Sequence, residues 1–484
     1  MKVFVLNPPF VKDFCRAQRW AARTRGRVQR PPDWLAYATA VLEKEGHHVT
    51  LLDAAAKNMP RKDVYHKIKS FSPDILVTDT TTPSIYNDIE IAAECREITG
   101  CKIIAVGPHA TALSEEIIVE SKNAIDIVAR GEYDLIVKNT INAIERDMPL
   151  STVDGITYKE NNKIFFNKNA AYIEDLDTLP YPAWHHIRIK DYFDGGKLYP
   201  FIDMIAGRGC PHRCSFCLYP QVMHGHKYRL RSAKNVVDEM EFDKKMYPYI
   251  REIFFEDDTF LGNVKRAKEI CDEIIERRLD ITWSINCRCD VVDTELFQKM
   301  KKAGCRMMLI GPESGSQNIL NNVNKNLKVE TIKRFVKTAK QFGLQIHSCF
   351  VMGLPGETKE TIKETIRFAY ELNTDTIQFS AAVPFPGTSF YDWAVKNNYI
   401  NAKKWSDWLN EGEQTAVINY PHLSQKEITA AVDTALNHFY FRPKKILQLL
   451  VNTRGNIWDL YRKMKGAKNF ISYNIQKGMK KDLT

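Results

Sequence analysis

The sequence predicts an α/β protein with two parallel-sheet units and an α-helical C-terminal region. Two observations support this prediction. Short β-branched and apolar runs alternate with amphipathic stretches over residues 1–150 and again over 196–395, which is typical of parallel sheets covered by helices. After residue 395 the strand-like runs stop. We therefore expect four segments: 1–150, a hairpin and linker over 151–195, 196–395, and a basic helical region over 396–484.

The first unit contains five predicted strands separated by helical stretches. The strands are expected at 2–6, 48–52, 74–78, 101–106 and 125–129, and the helices at 33–45, 62–71, 86–98 and 113–121. This order predicts a doubly wound, Rossmann-like sheet that binds ligands at the carboxyl ends of its strands. The run DGITYKENNKIFFN at 154–167 predicts a β-hairpin, and LDTLPYPAW after it predicts a linker.

Small, hydroxylated and glycine residues follow the strands of the first unit, where a flat ligand would approach the backbone. The candidate ligand contacts are Asn7, Pro8, Thr80, Thr81, Gly107, His109, Gly131 and Glu132. Ordinary loop chemistry is the alternative explanation for these residues.

The second unit contains six predicted strands, at 201–206, 252–256, 281–286, 306–310, 345–351 and 375–381. Six strands that alternate with helices predict a partial (β/α)6 barrel. In such barrels the site is built at the C-terminal ends of the strands. The chemically informative residues of this unit fall at those ends.

Three cysteines follow the first of these strands, in the stretch IAGRGCPHRCSFCLYP. Cys210, Cys214 and Cys217 have the spacing C-x3-C-x2-C. Three thiolates can hold three irons of a [4Fe–4S] cluster and leave the fourth iron open for another ligand. A zinc site with His212 as the fourth ligand is the alternative. A disulfide framework is not expected, because the N-terminus shows no export signal.

This motif, with Phe216 just before its last cysteine, resembles that of the radical S-adenosylmethionine (SAM) superfamily. The resemblance implies that SAM chelates the open iron and is cleaved to a 5′-deoxyadenosyl radical, so the three cysteines are the metal ligands and the catalytic residues. It also implies an electron donor such as a flavodoxin or a ferredoxin.

The resemblance assigns further residues of the second unit to SAM. The acids after the second strand would hold its amino group, Arg288 on the third strand would pair with its carboxylate, and Glu313 after the fourth would accept its ribose hydroxyls. An ion pair between Arg288 and Asp290 is the alternative. The complete set of expected SAM contacts is Glu256, Asp257, Asp258, Ser284, Arg288, Glu313 and Leu354.

The first unit resembles a second type of known domain, independently of the cysteine motif. The pattern NPP…WLAYATAVLEKEGHHVTLLDA, followed by GPHATAL and ARGEYD, resembles the cobalamin-binding domain that precedes many radical SAM cores, over about residues 1–145. It implies that the strand-end residues contact cobalamin. The D-x-H-x-x-G signature is absent, so the lower ligand of cobalt is left open. A degenerate Rossmann domain that binds substrate, or nothing, is the competing interpretation.

Together these resemblances imply an enzyme that methylates or rearranges an unactivated carbon of a lipid-like or tetrapyrrole-like small-molecule substrate. Cyclase and hopanoid side-chain subtypes share the layout, and the arginine-rich loop over 12–30 resembles the latter. A cobalamin-independent enzyme such as a methylthiotransferase, and a cluster-bearing scaffold or sensor, are the alternatives.

Composition and charge indicate the compartment and the partners to expect. The chain has 484 residues, is 26% charged and carries a net charge of +10. No apolar run approaches the ~20 residues that cross a bilayer, and the cysteine usage favours a reducing cytoplasm. The basic C-terminal helices, with aromatic residues between the charges, predict either a peripheral membrane contact or a solvated lid. The arginine-rich loop is expected either near a ligand or in solvent, and no nucleic acid is expected as a partner.

Overall fold

The computed structural model describes residues 1–17, 21–451 and 457–481. The strands are β1 Lys2–Asn7, β2 His48–Asp53, β3 Ile75–Asp79, β4 Lys102–Val106, β5 Ile127–Ala129, β6 Ile156–Glu160, β7 Lys163–Phe166, β8 Phe201–Met204, β9 Gly207–Arg208, β10 Arg229–Leu230, β11 Glu252–Phe255, β12 Trp283–Cys287, β13 Cys305–Glu313, β14 Gln345–Met352, β15 Thr376–Ala381, β16 Leu409–Asn410 and β17 Glu413–Gln414. The helices are α1 Asp33–Lys44, α2 Arg61–Phe71, α3 Ile85–Thr99, α4 Pro108–Ala112, α5 Ser114–Glu120, α6 Tyr133–Glu145, α7 Ala233–Met246, α8 Val264–Glu276, α9 Thr294–Lys302, α10 Gln317–Asn322, α11 Val329–Gln341, α12 Lys359–Leu372, α13 Ser389–Lys396, α14 Gln425–Tyr440, α15 Pro443–Val451 and α16 Ile457–Lys481.

The first sheet is doubly wound, as predicted. Its strand order is β2-β1-β3-β4-β5-β6-β7, and the first five strands are parallel. Along β1, Val3 and Val5 enter one hydrophobic core while Phe4 and Leu6 enter another. Side chains alternate along a strand, so a strand that is apolar at every position is covered on both faces. The predicted hairpin is β6–β7, which pairs antiparallel with β5 and extends this sheet.

The second sheet contains the six predicted strands, all parallel, in the order β15-β14-β13-β12-β11-β8. The two outermost strands, β8 and β15, are not paired with each other among the described residues, so the barrel is partial. Helices α7 to α12 follow the strands in turn. This confirms the predicted fold class: a Rossmann-like unit, a partial (β/α)6 barrel and a helical C-terminal region.

The arginine-rich loop is not a solvated loop in its described part. Arg25 Nε donates to Asp433 on α14 over 2.6 Å, and Arg27 lies 2.8 Å from Glu413. Arg30 Nη1 donates to Glu256 at the end of β11 over 2.9 Å. The loop therefore connects the first unit to both the barrel and the C-terminal region. Of its predicted residues, Arg19 lies outside the described ranges.

The C-terminal helices, which the sequence predicts at 424–440, 443–452 and 455–465, agree with α14, α15 and α16, except that α16 runs well past residue 465. Residues 452, 455 and 456 of the predicted helices lie outside the described residues. Helix α14 packs on β15, where Tyr440 Oη donates to Ile377 O over 2.7 Å. Among the described residues, no helix combines the length and apolarity that crossing a membrane would require.

Candidate active site between the first sheet and the barrel

A cavity that is partly open to solvent lies at the carboxyl edge of the first sheet. In the parallel order β2-β1-β3-β4-β5, β2 is added on one side of β1 and β3 on the other, and ligands bind at such switch points of the strand order. The cavity is lined from the first sheet by Asn7, Asp79, Thr81, Thr82, Gly107 and Pro108. Its opposite wall includes Leu218, Tyr219 and Met223, which directly follow the cysteine loop. The cavity is therefore shared by the two units.

Only a glycine fits at position 107 in the wall of this cavity. Its φ of +103° lies in the region that favours glycine, and a Cβ there would approach Asp79 Oδ1 and Thr80 O to 2.5 Å. The bare backbone at Gly107 forms part of the cavity wall, where it can meet a flat ligand closely.

Two buried polar features of the cavity also suit a ligand with many amides. Asn7 Nδ2 donates to Asp53 over 2.8 Å, but its Oδ1 is buried without a hydrogen-bond partner. An unpaired buried carbonyl oxygen is costly and marks a position for an external donor. Burial raises the pKa of Asp79 to about 7, and burial together with the charges of Asp203 and Glu256 raises the pKa of Asp33 well above its usual value. Both acids line the cavity, and the sequence analysis did not identify either.

The remaining strand-end candidates do not line this cavity. Thr80 Oγ1 donates to Val106 O over 2.8 Å and accepts from Ala110 N, which ties two loops together. His109 is buried 3.1 Å from Thr82 and against Trp405, and burial lowers its pKa to about 3. Pro8 O accepts from Arg16, and Gly131 N donates to Thr111.

Glu132 lies at the junction of the two units. Its carboxylate accepts from Arg229 Nη1 over 2.7 Å and Nη2 over 3.0 Å, and also from the Ile173 backbone N–H over 3.0 Å. Arg208 lies 3.2 Å from the same carboxylate, and burial opposes but does not cancel the two arginine charges that lower the pKa of Glu132. The Glu132 side chain therefore joins the two units, and its predicted contact with cobalamin stays a prediction.

The cysteine loop is held by side chains outside the motif. None of the three cysteines forms a disulfide; Cys210 and Cys214 are buried, and Cys217 is partly exposed. Gln221 Nε2 donates to Cys217 O over 2.7 Å and to Ser215 O over 3.1 Å. His226 Nδ1 lies 3.1 Å from Cys210 O. Three thiolates on one braced loop are the donor set of a [4Fe–4S] cluster with one open iron.

His212 does not complete a zinc site with these cysteines in the described structure. Its Nε2 lies 3.9 Å from Asp290, and its side chain is 30% exposed. Next to it, Arg288 Nη1 lies 3.7 Å from Cys214 Sγ, so a permanent cation faces one of the thiolates.

The three acids after β11 are bound by protein donors and are not a solvated loop. Glu256 accepts from Arg30 and from Asn286 Nδ2, the latter over 3.1 Å. Asp257 is buried and accepts from Ala206 N over 2.7 Å and Tyr228 Oη over 2.9 Å. Asp258 accepts from Gly209 N and lies 2.9 Å from His224. They brace the strand and loop that lead into the cysteines, and their predicted contact with SAM stays a prediction.

The other predicted SAM contacts lie around the same end of the barrel. Arg288 Nε donates to Asp290 over 2.7 Å, which is the alternative stated for it. Glu313 has a φ of +62° and accepts from the buried Lys325 over 2.7 Å. Ser284 Oγ is buried without a partner, and Leu354 is fully buried beside Gly353. Lys325 was not identified from sequence, because nothing in its loop marks it as the partner of Glu313.

Comparisons with known proteins agree with this geometry. The radical SAM superfamily model matches residues 204–369, and the B12 binding domain model matches residues 26–139. The uncharacterized methyltransferase PH0819 of Pyrococcus horikoshii is 32% identical over 94% of this chain and 96% of its own length. The anaerobic magnesium-protoporphyrin IX monomethyl ester cyclase of Rubrivivax gelatinosus is 30% identical over 75% of this chain and 66% of its own length.

A solved structure has the same fold. The radical SAM methyltransferase TsrM from Kitasatospora setae, determined with cobalamin and a [4Fe–4S] cluster bound, is similar with a TM-score of 0.72 at 17% identity, over 99% of each chain. The two domain matches confirm the predicted cofactors: a [4Fe–4S] cluster, SAM and cobalamin. The chain therefore belongs to the radical SAM superfamily, among the enzymes whose radical SAM core is preceded by a B12-binding domain.

Proposed function

We propose that the protein methylates, or rearranges, an unactivated carbon of a small molecule bound in the barrel. The observation that carries this proposal is the shared cavity: its walls come from the strand ends of the first sheet and from Leu218, Tyr219 and Met223 just after the cysteine loop. A cofactor bound there would lie beside the cluster. The matched relatives include a named methyltransferase and a named cyclase, which supports both reaction types.

The residues that would hold each group follow from their positions. Cys210, Cys214 and Cys217 would ligate the cluster, while Asn7, Thr81 and Gly107 would contact cobalamin. When bound, the cluster supplies the electron that cleaves SAM, and cobalamin is the carrier of a methyl group. Arg288 Nη1 lies 3.7 Å from Cys214 Sγ, so the guanidinium charge would lie beside the cluster. Ser284 and Glu313 would contact SAM.

The described barrel interior is lined partly by charged groups. Arg30 enters it from the first unit and lies between Glu256 and Asp194, 3.2 Å from the latter. Lys197 lies 3.0 Å from Asp194 and is fully buried. Such groups would position the polar functions of a substrate. A relative is named for magnesium-protoporphyrin IX monomethyl ester, so a tetrapyrrole-like or lipid-like molecule with polar groups remains our proposed class.

We also propose that a flavodoxin or ferredoxin reduces the cluster and that the enzyme works in the cytoplasm. Of the three cysteines, Cys217 is the partly exposed one, which gives a donor protein its nearest approach to the cluster. The abundance of free, buried thiols supports a reducing compartment.

Anaerobic reconstitution with iron, sulfide and hydroxocobalamin tests the function. We expect about four irons per chain, as one [4Fe–4S] cluster requires, and about one cobalt, as a single B12-binding domain matches the chain. On reduction, the loaded enzyme should convert SAM to 5′-deoxyadenosine or S-adenosylhomocysteine. Elemental analysis and chromatography measure these results. Retention of iron without cobalt would indicate a cobalamin-independent enzyme. A protein that holds the cluster but never consumes SAM would contradict the proposal.

The substitution Gly107→Ala should remove cobalamin selectively. The new Cβ would lie 2.5 Å from Asp79 Oδ1 and Thr80 O, at a φ of +103°. Strain of about 1–3 kcal/mol at such a position should lower cobalt retention by roughly tenfold or more while iron is kept. The matched control is Gly100→Ala at the other end of β4, where φ is +70° but no atom lies within 4 Å of the new Cβ. Equal cobalt in the two variants would contradict the assignment.

We propose in addition that α15 and α16 contact an anionic membrane surface. Among the described side chains between residues 441 and 475, eight large apolar ones are exposed: Phe441, Ile446, Leu447, Leu460, Tyr461, Met464, Ile471 and Ile475. On α16, Leu460, Met464, Ile471 and Ile475 share one face, because their spacings follow the helical repeat. Exposed basic residues such as Lys468 lie on the same helix. This combination is typical of helices that lie on anionic lipid.

Vesicle sedimentation tests the membrane contact. We expect the enzyme to sediment with phosphatidylcholine–phosphatidylglycerol vesicles and to lose most of this binding in a Met464→Asp/Ile471→Asp double variant. Two charges within a lipid-facing apolar stripe are unfavourable. Val119→Asp, which alters a side chain 60% exposed on the first unit, is the control and should bind as the wild type does. Binding to neither anionic nor neutral vesicles would exclude the contact.

A further inference from the structure

Away from the cluster and the cavity, one group of side chains in the described ranges has the donor set of a divalent metal site. Glu43 lies near the end of α1, and His185 and His186 lie on a short 3-10 helix in the linker. Their ligand atoms all lie within 4.8 Å of one another. Glu43 Oε1 is 2.9 Å from His185 Nε2 and 2.8 Å from His186 Nε2.

The arrangement does not depend on these side chains alone. The linker is held on α1 by the Ala183 backbone N–H, which donates to Ala36 O over 3.0 Å. Lys44 Nζ donates to Thr178 O over 3.1 Å on the same side. These contacts place the two imidazoles over Glu43 before any ion binds, with ring centroids 4.4 Å apart. The entropic cost of gathering three ligands is therefore partly met by the fold.

The chemistry of the donors selects the ion. Two imidazole nitrogens with one carboxylate oxygen suit zinc and its transition-metal neighbours, whereas calcium and magnesium require oxygen ligands. With zinc–ligand bonds of about 2.0–2.1 Å, ligand atoms of a tetrahedral site lie about 3.3 Å apart. Each nitrogen–oxygen pair would need to open by about half an ångström, which an exposed His185 and a partly exposed Glu43 and His186 can do. His185 is 58% exposed, so a water molecule can reach the fourth position.

We propose that Glu43, His185 and His186 bind one zinc-type divalent ion that fastens the linker to α1. The first residues of α1, Asp33, Trp34 and Leu35, line the cavity at the other end of the helix. An ion at Glu43 therefore fixes the helix against the segment that leads into the barrel. This site is separate from the cluster and needs none of its ligands.

Equilibrium dialysis of the fully loaded enzyme against zinc chloride, followed by elemental analysis, tests this site. The cluster must be present, because unloaded cysteines would themselves bind zinc. We expect one zinc per chain with a micromolar Kd, unchanged iron, and at least tenfold weaker binding in His185→Ala/His186→Ala. His66→Ala, which removes an exposed histidine of α2, should bind zinc as the wild type does.

The variant Glu43→Gln separates a metal site from hydrogen bonding alone. The amide oxygen can still accept from both imidazoles, but it lacks the charge that a zinc ligand supplies. We expect weaker zinc binding and no zinc-dependent rise in melting temperature in this variant, against a clear rise in the wild type. The proposal would be overturned if the wild type bound no zinc, or if the double-histidine variant bound zinc as tightly as the wild type.

Discussion

Replacement of Cys214 by alanine should abolish both the cluster and SAM cleavage. Two thiolates would remain on the loop, which leaves two irons of the cluster without protein ligands. The Arg288 guanidinium, 3.7 Å from Cys214 Sγ, would also lose the anion it faces. We expect iron to fall from about four per chain to a trace. SAM cleavage should fall by at least about 1,000-fold, which corresponds to about 4 kcal/mol in activation free energy.

Cys95→Ala is the matched control for this experiment. Cys95 is a fully buried cysteine of α3 in the first unit, distant from the loop in sequence, and burial raises the pKa of its thiol to about 12, so it is protonated at neutral pH. The control should keep its iron and cleave SAM at the wild-type rate. A cluster of normal iron content in Cys214→Ala would show that another residue supplies the third ligand.

Of the substitutions that we propose, Glu132→Ala should lower the free energy of unfolding the most. The substitution removes the carboxylate that Arg229 contacts in two places and that Arg208 approaches to 3.2 Å. Arg208 would keep Asp134, at 2.7 Å, but Arg229 would be buried without an anionic partner. Removing one member of a buried pair costs about 3–5 kcal/mol, because the remaining charge is uncompensated. Anaerobic urea denaturation measures the change.

Glu174→Ala provides the comparison from the neighbouring linker. Glu174 pairs with Lys227, but both side chains are about two-thirds exposed, at 66% and 68%. An exposed pair contributes about 0–1 kcal/mol, so this variant should unfold close to the wild type. If the two variants had the same urea midpoint, the buried contact between the units would not be a source of stability.

Most of the fold could be predicted because its signals are local. The five strands of the first unit, the six strands of the barrel and the hairpin each show in the alternation of apolar runs and turns. The cysteine loop was equally clear, since its three ligands lie within eight residues. That Asn7, Thr81 and Gly107 line one cavity could be predicted for a related reason: residues that follow parallel strands meet at one edge of the sheet.

The side-chain contacts that could not be predicted involve partners that are distant in the sequence. Glu132 follows β5, but its partner Arg229 is 97 residues away, so their contact at the junction of the units does not show in the sequence. Asp33 appeared only as the first residue of a helix, and its raised pKa follows from burial near Asp203 and Glu256, which sequence spacing does not reveal. Arg30 lies in a loop without periodicity, so nothing predicted its entry into the barrel.

The arginine-rich loop restricts how this protein can be recombined with its relatives. Arg30 reaches Glu256 in the barrel, and Arg25 reaches Asp433 in the C-terminal region. A chimera that exchanged residues 1–150 as a block would remove one arginine partner from each of these two carboxylates. A unit for exchange would therefore be discontinuous in sequence. The loop would be transferred together with the barrel, although it lies between β1 and α1 of the first unit.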